Sequence, residues 1–180
     1  MKEFSKKYPD PHARATGIVY LLYFLTAIYA QTFAKTDIWY IVINLISCGF
    51  YLTLTILFYN LFKPVDKNIS MLAALCSLIG CAATALYVLK VDSLNINPLL
   101  FFGPYCILIG YLIYKSIFLP HFLGILMIAA GLGWLIFLSP LEKYLSLYIK
   151  ILGIFAEAVL MLWLIIKGVS IQKWEAQNDK

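Results

Sequence analysis

The chain has 180 residues, of which 63% are hydrophobic and 13% charged, and its net charge is +5. Soluble domains are about 45–50% apolar, so this composition excludes an ordinary soluble fold and makes lipid the solvent. The positive charge does not point to nucleic acid, because Lys and Arg sit mostly at the ends of apolar runs, where they encode topology rather than a phosphate-binding face.

A helix that crosses a hydrocarbon core of ~30 Å needs roughly 20 apolar residues. Six runs qualify. The first covers 15–33, after Arg14, and the second covers 38–62, ended by Lys63-Pro64. The third covers 69–89 and ends at Lys90; the fourth covers 98–114, opened by Asn97-Pro98 and closed by Lys115. The fifth covers 119–138, closed by Ser139-Pro140, and the sixth covers 145–169, followed by a polar tail with Lys173, Glu175, Asp179 and Lys180. Proline marks the breaks, and in lipid only helices satisfy such backbones. The chain is therefore predicted to be an all-α membrane protein, a single bundle of six transmembrane helices over 1–180. The basic N-terminus resembles a signal peptide, but the run after it is long, tyrosine-rich and has no small-x-small cleavage site, so it reads as a retained first helix.

With a cytoplasmic N-terminus, the inner segments hold Lys2, Lys6, Lys7, Arg14, Lys63, Lys67, Lys115, Lys167, Lys173 and Lys180, and the outer ones hold Lys35, Lys90, Lys143 and Lys150. Ten against four places both termini inside. The predicted location is the inner (plasma) membrane, with Trp39 and Trp174 as interfacial anchors.

Polar side chains turn away from lipid. In the second run Asn44, Ser47, Cys48, Tyr51, Thr55 and Tyr59 recur at helical steps and form one inward stripe. The third run carries a small face of Ala73, Ser77, Gly80, Cys81 and Thr84. The fourth carries Gly103, Cys106 and Gly110, and the fifth Gly124, Gly131 and Gly133. Small residues let helices approach closely, so these faces are expected to be packing surfaces. The four cysteines all lie inside apolar runs and read as small hydrophobes, not as a disulfide framework or a zinc site.

The sixth run places Ser146, Lys150, Gly153 and Glu157 on one face. A carboxylate in mid-membrane costs ~3 kcal/mol even on lenient scales unless it is paired, protonated or wetted. Lys150 lies two turns away, ~10.5 Å along the axis, and can snorkel toward the outer interface. Counting inward along the second and sixth helices puts Lys150 level with Asn44, and Glu157 level with Cys48 and Tyr51. The candidate site for a ligand or ion is therefore Glu157 with Tyr51, Asn44 and Lys150, provided the two helices touch. Three readings of Glu157 stay open: a protonated packing residue, a coupling site for protons or cations, or an anchor for a ligand head group.

His12 and His121 are the only histidines and fall at predicted cytoplasmic ends, which does not suit haem. No GxSxG, HExxH or Walker loop occurs. No catalytic residue, metal or cofactor is expected, and an enzyme is not predicted. The leading expectation is a small transporter-like or ligand-binding bundle whose partners are membrane lipids and a small amphiphilic ligand, with no nucleic acid. The alternatives are a non-catalytic accessory or scaffold subunit and a substrate-capturing subunit of a larger transporter.

Several segments carry a family resemblance. They are Lys63-Pro64-Val65-Asp66-Lys67-Asn68 leading into Met71-Leu72-Ala73-Ala74-Leu75; Gly103-Pro104-Tyr105-Cys106 through Gly110-Tyr111 to Lys115-Ser116; Leu119-Pro120, Leu123-Gly124 and Gly131-Leu132-Gly133; and Glu157 with Leu162-Trp163-Leu164 and Lys167-Gly168-Val169. In order and spacing the chain resembles the bacterial membrane family catalogued as domain of unknown function 4386. The resemblance implies a six-helix inner-membrane protein with no assigned activity and no catalytic residues to carry over. It also implies departures: a short segment at 34–37, Asn44 where relatives place an acid, and Cys76 where they place an arginine, so that Glu157 remains without that charge pair.

Overall fold

In the computed structural model, which describes residues 11–33, 37–91 and 96–178, the chain is helical throughout, with no strand among the described residues. The helices are α1 (Pro11–Thr32), α2 (Asp37–Phe62), α3 (Lys67–Val88), α4 (Leu99–Lys115), α5 (His121–Ile136), α6 (Glu142–Ile166) and α7 (Ile171–Asn178). Lys2, Lys6, Lys7, Lys35 and Lys180, which enter the charge count above, lie outside the described residues, as do Asp179 of the polar tail and most of the short segment after α1.

The helix boundaries follow local chemistry. α1 begins at Pro11, four residues before its apolar run, because proline at a first helical position gives up only an N–H that would be orphaned anyway. α3 begins at Lys67 because Asp66 is its N-cap, accepting from the Ile69 N–H at 3.1 Å. α6 starts at Glu142 rather than 145, with that acid in the first turn, where the helix dipole favours it. α6 ends where Gly168 adopts a left-handed φ of 63°, its N–H and that of Lys167 both donating to the Trp163 carbonyl. The tail beyond is not the plain polar segment predicted: it turns into α7, which is tied down by Trp174 Nε1 donating to the Leu61 carbonyl (2.9 Å) and by Gln177 Oε1 accepting from Ile117 N (3.4 Å).

α1, α2, α3 and α6 are each long and apolar enough to cross a membrane, while α4 and α5 are shorter apolar helices of 17 and 16 residues. Each of the six packs on its neighbours in chain order, and α6 closes back on α1, so the helices form a ring. Its polarity is inverted relative to a soluble protein. Leu25, Ile46, Ile56, Leu75, Ile79, Ile125, Leu132, Ile154 and Leu162 point outward, while Thr16, Asn44, Ser47, Thr55, Ser70 and Ser77 are buried. That inversion is what a lipid solvent demands.

The predicted packing faces are buried as expected, and the tightest is between α4 and α5. Gly103 opposes Gly131 and Gly110 opposes Gly124, two antiparallel pairs with seven-residue spacing on each helix. A Cβ at Gly110 would lie 2.7 Å from the Gly124 carbonyl oxygen, and one at Gly131 would lie 2.7 Å from that of Gly103. Only bare backbone allows this approach. Between α2 and α3 the buried hydroxyls of Thr55 and Ser77 hydrogen-bond each other, so part of the α2 polar stripe acts as interhelical glue.

Candidate functional site

Large aromatic side chains fill the ring. Phe102 of α4 meets Tyr51 of α2 at 5.1 Å between ring centroids, and Tyr51 meets Tyr23 of α1 at 4.6 Å. Tyr23 leads to Tyr20 (6.1 Å), Tyr20 to Phe58 (5.9 Å), and Phe58 stacks on Phe62 (5.8 Å). Tyr51 also reaches across the ring to Tyr105 of α4 at 5.7 Å. The result is an aromatic column that runs along the ring interior between its two ends.

Glu157 joins this column at its midpoint. It is half-buried on the inner face of α6, between buried Gly153 and Leu160. The side chains that turn a donor toward its carboxyl are Tyr20 of α1 and Trp134 of α5. Gly153 makes the second of these contacts possible: the Trp134 ring occupies the volume where a Cβ would stand. Gly17 does the same for α1, which lies so close to α6 that a Cβ there would be 2.8 Å from the Ile165 backbone nitrogen.

The four predicted site residues are thus separated in part. Glu157 faces inward as expected, and Tyr51 belongs to the same aromatic cluster, reached through Tyr23 and Tyr20. Asn44 does not join Glu157: its amide nitrogen donates to the Tyr40 carbonyl of its own helix at 2.8 Å, and it lines a cavity at one end of the ring. Lys150 does not join it either; it is exposed, with its ammonium 5.7 Å from the centre of the Phe137 ring. The reason is topological. α1 stands between α2 and α6 in the ring, so the two helices assumed to touch are not packed neighbours.

The residues that sequence reasoning missed are Tyr20, Tyr23, Trp134 and Tyr105. Tyr20 and Tyr23 lie in a run whose polar face is not marked by any small-polar stripe. Tyr105 carries the clearest chemical signal: its ring is buried to 3% exposure, and its hydroxyl has no hydrogen-bond partner among the described residues. The cysteines are free thiols where described, and Cys48 and Cys81 face each other across α2 and α3.

The Asn44 cavity encloses about 600 Å³ at the end of the ring formed by the end of α1, the start of α2, the end of α3 and the start of α4. Gln31, Asn44, Thr84 and Asn97 supply amides and a hydroxyl, Tyr40 and Tyr87 supply amphipathic rings, and Phe102 lines it too. Phe102 is also the first ring of the aromatic column. The cavity therefore adjoins the layer that holds Tyr51 and the unpartnered Tyr105 hydroxyl.

Residues 91–168 match the family model described as Domain of unknown function (DUF4386). A protein of Archaeoglobus fulgidus described as "Uncharacterized protein" is 37% identical over 126 residues, which is 64% of this chain and 75% of that relative. The chain belongs to the DUF4386 family. The match spans α4, α5 and α6, and so includes Tyr105, Trp134 and Glu157. The relative is archaeal, so it lends no support to the expected bacterial source. No solved structure matches this member of the DUF4386 family.

Proposed function

We propose that this DUF4386 protein is a non-catalytic, six-span membrane bundle with both termini cytoplasmic, located in the plasma membrane, that binds a small neutral or amphiphilic ligand through the Asn44 cavity. The observation that carries the reading is the Tyr105 hydroxyl, which is buried and has no hydrogen-bond partner among the described residues. An unmatched buried hydroxyl costs roughly 1–3 kcal/mol, a cost that a ligand polar group reaching past Phe102 would offset. The cavity lining supports a neutral ligand, since amides and hydroxyls outnumber charges there. Glu157, held between Tyr20 and Trp134, would sense or anchor such a ligand from the far side of the tyrosine layer. The ends of α2, α4 and α6 gather Lys63, Lys115 and Lys167, which supports placing that end at the cytoplasmic face.

The test is native mass spectrometry of the intact protein released from mild detergent. Wild type should carry a small-molecule mass that Tyr105→Phe and Glu157→Gln each lose while staying folded. A folded wild type without any adduct sensitive to these two changes overturns the reading.

A second reading, the accessory or scaffold subunit, is favoured by one observation: both donors that approach Glu157 come from within the bundle, which suits a packing residue. Co-purification of a stoichiometric partner protein, with no ligand mass, would select it; an ATPase partner would select the substrate-capturing variant.

A further inference from the structure

A second cavity lies at the opposite end of the ring and shares no residue with the Asn44 cavity. It encloses about 380 Å³ between the start of α1, the end of α2 and α7, a volume in the range of small-ligand sites, roughly 300–1,000 Å³. Lys63 stands on the α2 wall and Glu175 on the α7 wall. These opposite charges both line the cavity, yet they do not pair with each other; among the described residues at this end, Lys115 pairs with Asp66 at 3.0 Å. Asn60 adds an amide, and Leu57, Ile171 and Trp174 add apolar surface. The Trp174 N–H is committed to the Leu61 carbonyl, so its ring is what it offers to an occupant.

We propose that this cavity is a site for a zwitterionic head group, a primary ammonium joined to a phosphodiester. A purely anionic ligand would set a charge beside Glu175, and a purely cationic one would set a charge beside Lys63. A ligand with both signs answers both walls at once: phosphate toward Lys63, and ammonium toward Glu175 and the face of Trp174. Leu57 and Ile171 accept the apolar stem that follows such a head group. The cavity lies where α2 gives way to Lys63-Pro64, a basic run end of the kind that meets lipid head groups, and α7 forms one of its walls. The same chemistry is offered by a bilayer lipid and by free glycerophosphoethanolamine. The site is independent of the Tyr105 reading, and either can fail alone.

Short-chain phosphatidylethanolamine, short-chain phosphatidylglycerol and free glycerophosphoethanolamine, titrated onto the purified full chain and followed by native mass spectrometry, test it. Phosphatidylethanolamine should bind at least about tenfold more tightly than phosphatidylglycerol. Lys63→Gln and Glu175→Gln should each weaken it by about tenfold or more, Lys63→Arg should retain it, and the exchange Lys63→Glu with Glu175→Lys should recover most of the loss. The double exchange and Lys63→Arg distinguish lost charge from lost fold. Competition by free glycerophosphoethanolamine would identify a soluble zwitterion as occupant, and its absence would identify the lipid. Equal binding of the two lipids, untouched by Glu175→Gln, would overturn the proposal and leave nonspecific boundary lipid.

Discussion

The indole of Trp134 occupies the space that a side chain at Gly153 would need, and it thereby carries its N–H toward Glu157 one turn further along α6. A backbone position on one helix thus decides whether a donor on the next reaches the acid. Gly153→Ala is expected to push the indole aside. Overpacking of this kind costs about 1–3 kcal/mol, offset by the ~1 kcal/mol that Ala gains over Gly in a helix. The intrinsic fluorescence of Trp134 should shift together with a lowered thermal midpoint in detergent; an unshifted spectrum would show that Trp134 does not depend on this gap.

Gly110 and Gly49 provide an internal contrast. A Cβ at Gly110 meets the Gly124 carbonyl oxygen and the Ile128 backbone nitrogen at 2.7 and 2.8 Å, which are backbone atoms and cannot rotate away. A Cβ at Gly49 meets nothing within 4 Å. Gly110→Ala should destabilise the bundle by about 1–3 kcal/mol, while Gly49→Ala should stabilise it by up to ~1 kcal/mol. Denaturation in mixed detergent measures both, and opposite signs are the expected result.

Asp66 caps α3 and also bonds Lys115, linking the α2–α3 connection to the end of α4. The Ile69 N–H, and after it Lys115, hold its carboxyl below the usual carboxylate range. A carboxyl that is more acidic in the folded state contributes stability that is complete above its unfolded pKa and lost as pH falls through the folded one. The contribution of Asp66 should therefore be complete above pH ~5 and be lost in the acid range below ~4. Asp66→Ala should cost about 1 kcal/mol through the lost cap, and it should also flatten the acid decline. A pH series of melting curves on wild type and variant checks this.

Trp174 Nε1 is the bond that holds α7 to the end of α2. Trp174→Phe keeps the ring and removes the donor, at a net cost of about 1 kcal/mol. Because α7 is a short helix with no buried residue of its own, that loss should appear as local opening. Amide hydrogen exchange in residues 171–178 should speed up, while exchange in α3 and α5 stays unchanged. Equal acceleration throughout would indicate that α7 is integral to the ring.

Much of the architecture is legible in local pattern. Hydrophobic run length locates the helices, and helical periodicity assigns each its inner face: Asn44, Ser47, Tyr51 and Thr55 of the α2 stripe are buried, the glycines of α4 and α5 meet, and Glu157 points into the ring. Such features depend only on the rise and twist of one helix. α7 is less legible, because eight mostly polar residues form a helix here through two bonds to distant parts of the chain.

Run length and periodicity are therefore enough for a lipid-solvated helical chain with an acid turned inward. Which side chains meet that acid depends on how the helices pack. Periodicity defines a face but not the helix opposite it, and equal depth along two helices brings side chains together only when those helices are neighbours. The ring closes α1 onto α6, so Tyr20 and Trp134 surround Glu157, while Asn44 lines an end cavity and Lys150 turns outward.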